Sequence, residues 1–153
     1  AHIHTTVVSS ADVEASGIAH GITVIGPPDW RAMNYEPTPN DLSIILQVRW
    51  KSIVLLLTGD VEKRAMEEVL QRKNDLHCDI LQAPHHGKKS PDWREFAERT
   101  SPRILLVSSE GGSLAPDLID RYRQLGAQVY ITAERGAIVI EERIGQINVG
   151  TQY

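Results

Sequence analysis

The sequence predicts an α/β domain, a mixed sheet with helices laid over one face. Three observations point there. Apolar runs at Ile53–Leu57 and at residues 78–82 and 103–107 show no polar alternation, the mark of strands buried on both faces. Between and after them come stretches with apolar residues at helical spacing, and helices that alternate with strands cover a sheet. The first two runs also end abruptly in polar tips, Asp60 and His85-His86, where open α/β sheets present their chemistry.

The chain begins Ala1-His2-Ile3-His4-Thr5-Thr6-Val7-Val8, which reads as a strand with His2 and His4 on one face, because side chains alternate with period two. Such a pair can chelate a metal, or be two exposed histidines on an ordinary strand. Residues 9–21 are small and polar without a period, and read as loop. Ile22-Thr23-Val24-Ile25 forms a strand that stops at Gly26-Pro27-Pro28, where neither proline can donate to a ladder. Residues 29–40, with Trp30 and Tyr35, make a long connection of the kind that overlies a site.

Residues 44–48 and Ile53–Leu57 are two strands joined tightly around Trp50-Lys51, an antiparallel hairpin. Asp60 is placed to cap the next helix, with Glu62 in its first turn and Val61, Ala65, Met66, Val69 and Leu70 as its apolar face. After the strand at 78–82, Ser90 caps a short helix with Pro91 in its first position and Trp93, Phe96 and Ala97 inward. Pro116 opens a third helix with Leu118, Ile119, Tyr122 and Leu125 inward, stopped by Gly126. Strands at 129–131, 137–140 and 144–149 follow, the last two as a hairpin through Gly145.

A length of 153 residues suits one ordinary domain, and 41% hydrophobic with 24% charged residues is a globular composition. The net charge of −4 gives no overall basic field, so a phosphate-bearing partner would be held by a metal or a local patch. The lone Cys78 excludes an internal disulfide. The apolar runs are too short to cross a bilayer, and no signal-peptide pattern is visible.

If the strands at Ile53–Leu57 and Ile80–Gln82 are neighbours running the same way, Asp60 and one or both histidines meet at one rim. Asp and His without Cys suit a hard or borderline divalent ion. Each tip also has a structural explanation: Asp60 as a helix cap, His85-His86 as a hydrogen-bonded turn.

Taken together, Asn40-x-x-Ser43, Leu57-Thr58-Gly59-Asp60, Pro84-His85-His86-Gly87 and Val129-Tyr130-Ile131-Thr132 with Gly136-Ala137-Ile138 resemble the C-terminal half of the metallo-β-lactamase-fold domain of ComEC-type competence proteins. Those are bacterial membrane proteins that take up transforming DNA. The resemblance implies an αββα sandwich represented mainly by its C-terminal half over residues 21–153, with 1–20 as an N-terminal strand or loop remnant. It implies a metal-dependent phosphodiesterase or nuclease acting on DNA, with a pair of divalent ions, zinc or manganese. Asp60 would bridge them, His86 would be a terminal ligand, and His85 a supporting or phosphate-contacting group, though the two histidines could be exchanged. Apart from the resemblance, Lys88 and Ser109, together with His85, are candidate substrate contacts. The resemblance further implies a soluble domain of a bacterial inner-membrane protein, on a side left open, with no insertion of this segment into the bilayer.

The family's upstream His-x-His-x-Asp-His motif is not found. After His2 and His4 its Asp and His positions are Thr6 and Val7, Lys88 replaces the Ser after His-His-Gly, and Leu114-Ala115-Pro116 replaces Gly-His-Pro. Three readings follow: a half-domain that is weakly active or inactive without its other half, a non-catalytic binding or structural relic, and a small hydrolase using His2, His4, Asp60 and His86. A half-domain would expose Ile44, Leu46, Ile53, Leu55 and Ile104 and associate as a homodimer.

Overall fold

A computed structural model describes residues 21–27, 35–72, 75–110 and 114–152. His2, His4, Trp30 and the segment 1–20 lie outside the described residues. Six strands form one sheet in chain order: β1 (Ile22–Gly26), β2 (Ile45–Trp50), β3 (Ile53–Leu57), β4 (Ile80–Gln82), β5 (Ile104–Val107) and β6 (Gln128–Ile131). β1 with β2 and β2 with β3 pair antiparallel, and β3 to β6 run parallel. Helices α1 (Lys63–Gln71), α2 (Trp93–Thr100) and α3 (Pro116–Gln124) connect the parallel strands. With strand order equal to chain order, every crossover takes the same right hand, so all three helices fall on one face.

Under the helices, Leu56, Leu81 and Leu105 lie in register across β3, β4 and β5. They form one core with Val69 of α1, Phe96 of α2 and Tyr122 of α3. Cys78 is buried in that core, and desolvation, reinforced by nearby Asp79 and Asp75, pushes its thiol up to about 12. Burial likewise raises the Tyr122 phenol.

After β6 come a short helix α4 (Thr132–Arg135) and an antiparallel hairpin of β7 (Ala137–Arg143) and β8 (Gln146–Gln152). The hairpin covers the second face of the sheet, where Ile140, Ile147 and Val149 pack with Leu55, Leu106 and Tyr130 around buried Ile53, Ile80 and Ile104. Lys51, in the β2–β3 turn, pairs with Glu142 of the hairpin. The expected open face is therefore corrected. Ile53 and Ile104 are buried, Leu55 is packed beside them and Leu46 is half-buried, which leaves Ile44 as the exposed member of the five.

Four further differences have local causes. The final hairpin turns at Ile144-Gly145, both at positive φ, so β8 begins two residues later than its apolar pattern suggests. Trp50 belongs to β2, and the β2–β3 turn falls on Lys51-Ser52. Helix α2 starts at Trp93 with Asp92 at its cap, while Ser90-Pro91 lie in the preceding turn and the Ser90 hydroxyl meets the Met66 sulfur at 2.8 Å. Helix α1 starts at Lys63, too late for Asp60 to cap it.

Candidate functional site

The rim above β3 and β4 is built by two short motifs that hold each other. In Thr58-Gly59-Asp60, the buried Thr58 hydroxyl donates to the Gln82 carbonyl at 2.9 Å and ties the end of β3 to the end of β4. Gly59 has φ 54, and its carbonyl accepts from the His85 amide at 3.1 Å. A Cβ on Gly59 would stand 3.3 Å from the Ser43 Cβ, which accounts for glycine there and for the closeness of the Asn40-x-x-Ser43 turn.

Asp60 is left without a structural task at the helix. The cap position belongs to Glu62, whose side chain makes no capping bond. The Ala65 amide in the first turn instead donates to Asp41 Oδ1 at 3.4 Å, and the other Asp41 oxygen accepts from the amide and hydroxyl of Thr38. A carboxylate 24 residues upstream of Ala65 thus does the work assigned to Asp60.

In Pro84-His85-His86-Gly87 three consecutive residues are left-handed: His85 at φ 42, His86 at φ 57 and Gly87 at φ 82. Non-glycine residues in this region cost about 1–3 kcal/mol each, and such strain collects at sites held by their surroundings. The holding contacts are the His85 amide to Gly59, the Lys88 amide to the His85 carbonyl at 3.0 Å, and Gly87 packed toward Val107 and Leu114.

This backbone sends the two imidazoles to different partners. His86 Nδ1 lies 2.8 Å from the Ser108 carbonyl, an acceptor only, so Nδ1 carries a proton and the ring is turned with Nε2 outward. Nε2 faces Asp60, 3.4 Å from Oδ1. Two electron-pair donors facing one another require a cation between them, a proton or a metal ion. Ligands bound at about 2.0–2.1 Å to one tetrahedral zinc stand about 3.4 Å apart, the spacing of this pair. An imidazole whose second nitrogen donates to a carbonyl is also the usual way a metal-binding histidine is oriented. The pair therefore fits two ligands of a divalent ion. No group of three or more His, Cys, Asp or Glu side chains suited to a metal occurs among the described residues.

His85 turns inward. Its Nδ1 lies against a Glu62 carboxylate oxygen, in contact though without hydrogen-bond alignment, and its Nε2 is 2.9 Å from Lys88 Nζ. Its side chain is 15% exposed, against 46% for His86. Ser109 lies beyond β5, next to the carbonyl that orients His86. Its amide donates to Thr132 Oγ1 at 2.9 Å, and that hydroxyl donates to the Ser109 carbonyl at 3.0 Å. Asp60 and His86 thus form one side-chain pair at the rim and His85 and Lys88 another, joined through the backbone of the His-His-Gly turn, and Ser109 is attached through its neighbour. Glu62 and the Ser108 carbonyl were missed as site groups in the sequence, and Thr132, though within the Val129-Tyr130-Ile131-Thr132 motif, was given no role. Glu62 had a local signal, its place two residues after Asp60 at a helix start.

No protein-family model matches the chain. Over 70 residues it is 30% identical to ComE operon protein 3 of Bacillus subtilis (strain 168), which covers 46% of this chain and 9% of that protein. Over 81 residues it is 27% identical to the uncharacterized protein YcaI of Escherichia coli (strain K12), covering 52% of this chain and 11% of that protein. The matched region thus spans about a tenth of either relative's length. Among the described residues no helix is long and apolar enough to cross a membrane.

Proposed function

We propose that this chain is the C-terminal half of a metallo-β-lactamase-like αββα domain in a competence-related protein. Its rim is then part of a divalent-metal-dependent phosphodiesterase acting on DNA. One observation carries the reading: Asp60 Oδ1 and His86 Nε2 face each other at 3.4 Å with the His86 ring locked by the Ser108 carbonyl. The similarity to ComE operon protein 3 supports the competence link.

Asp60 and His86 would hold zinc or manganese, Asp60 in the bridging position and His86 as terminal ligand. Such ions, when bound, generate a nucleophile from water near neutral pH and neutralise charge on the phosphodiester. The chain's own residues orient and bind. Ser108 fixes which His86 nitrogen is available. Lys88, backed by His85, offers ammonium hydrogens to a phosphate oxygen, and Ser109 adds its hydroxyl from the neighbouring strand end. The remaining ligands come from a His-x-His-x-Asp-His segment, so this chain by itself is weakly active or inactive. In the same reading it is a soluble domain of a bacterial inner-membrane protein.

The test is metal-dependent hydrolysis of single-stranded DNA by the full-length protein. Asp60→Ala and His86→Ala are each expected to lower it by at least about 100-fold. Wild-type rates in both variants would overturn the reading. A non-catalytic, self-associating relic is favoured by the exposed Leu42, Ile44 and Trp50. That alternative predicts a homodimer and no metal-dependent hydrolysis.

A further inference from the structure

We infer that Glu62 is a positioning residue. Through His85 it holds the Lys88 ammonium at the rim as an anion-binding arm, separate from the Asp60–His86 pair and selective for a phosphoryl oxyanion. The choice of phosphate as the anion rests on the function proposed above; the arm itself rests on geometry.

Hydrogen-bonding capacity sets the direction of the arm. A lysine ammonium has donors and no acceptor, so His85 Nε2, 2.9 Å from Lys88 Nζ, accepts. A neutral imidazole carries one proton, which then belongs to Nδ1, and Nδ1 is in contact with a Glu62 carboxylate oxygen without being aligned for a hydrogen bond, so the Glu62 charge faces that edge of the ring. Lys88 donates to one edge of the His85 ring, and the Glu62 carboxylate stands in contact with the other edge. A long flexible side chain is thereby pinned, with ammonium hydrogens left over for a ligand.

Burial divides the labour in the same way. His85 is mostly enclosed, whereas Lys88 is exposed, so His85 supports and Lys88 meets the ligand. Helix α1 does not account for Glu62, because its side chain makes no capping bond and the Ala65 amide is taken by Asp41. The backbone fixes the other end of the arm. The amide of His85 is bound to the Gly59 carbonyl and that of Lys88 to the His85 carbonyl, so the loop and the start of α1 keep their relative position.

The experiment is an NMR titration of the chain with inorganic phosphate, in excess EDTA so that metal plays no part. Phosphate is expected to shift the Lys88 and Gly87 amide signals. The apparent Kd should rise at least about 10-fold in Glu62→Ala and in Lys88→Ala, and return to within about 3-fold of wild type in Glu62→Gln, which keeps an oxygen of the same reach against Nδ1. The double variant Glu62→Ala/Lys88→Ala should be no weaker than the worse single one, because both break one arm. Nitrogen shifts of the His85 ring should show a single tautomer protonated at Nδ1 in the wild type and a mixture in Glu62→Ala. A phosphate titration unchanged by Glu62→Ala, no phosphate shift at Lys88, or a His85 tautomer indifferent to Glu62 would each overturn the inference. None of these readouts needs hydrolysis, so failure of the nuclease reading, seen in Asp60→Ala and His86→Ala, remains separate.

Discussion

Leu56, Leu81 and Leu105 stand side by side on three parallel strands under the helices and are 0% exposed. At the carboxyl end of the same strands, the side chains of Asp60 and His86 are 41% and 46% exposed. The leucines follow from the hydrophobic effect alone, since each has strand neighbours of its own kind and a helix above. The rim follows from none of those rules. It places two non-glycine residues in the left-handed region, leaves Asp60 without a capping role beside a helix that a distant aspartate caps, and turns the Nε2 of an imidazole toward that carboxylate. Single left-handed residues also occur at Lys51, Lys63, Ser101 and Ile144, but among the described residues only at the rim do two non-glycine residues stand in succession beside a carboxylate and an imidazole that face each other, and such a concentration of local strain is characteristic of functional sites.

The difference can be broken by mutation. Leu105→Ala should cost about 2–5 kcal/mol in a denaturant melt, because a packed strand centre cannot collapse around the missing atoms. Asp60→Ala in the same experiment should stay within about 0.5 kcal/mol of wild type, as for exposed groups outside a packed core. Equal losses would mean that the rim, too, is part of the scaffold.

Gly87→Ala sharpens the contrast at the boundary between the regions. Gly87 is buried at φ 82, and an added Cβ would stand 3.1 Å from Val107 and 3.2 Å from Leu114. A loss of about 1–3 kcal/mol is expected from the backbone strain and the close approach. The His86 ring signal should also shift, as the loop moves against the Ser108 carbonyl. A stable variant with an unmoved His86 would show that the left-handed run does not set the ring.

The body of the fold was legible because its signals are local and repeated. The apolar runs at Ile53–Leu57 and residues 103–107 became parallel β3 and β5, and the helical spacing of Ala65, Met66, Val69 and Leu70 became the buried face of α1. Helix starts were less legible. Asp60 and Ser90 are good capping residue types, but Asp41 reaches α1 from another turn and Asp92 occupies the cap of α2. The second face was misjudged because alternation in β7 shows that one side of the hairpin is apolar without showing that it folds back over Ile53, Ile80 and Ile104. At the rim, Asp60 and His86 could be paired in advance from neighbouring strand ends. Their partners could not, since the Ser108 carbonyl is backbone from a third strand and the Glu62–His85 contact depends on where α1 begins.

Crystals of the full-length protein soaked in zinc and measured at the zinc absorption edge would put the Asp60–His86 pair to the most direct test. The predicted result is an anomalous peak about 2.0–2.2 Å from both Asp60 Oδ1 and His86 Nε2, lost in His86→Ala and kept in His85→Ala. A peak on His85 instead, or none between Asp60 and His86, would contradict it.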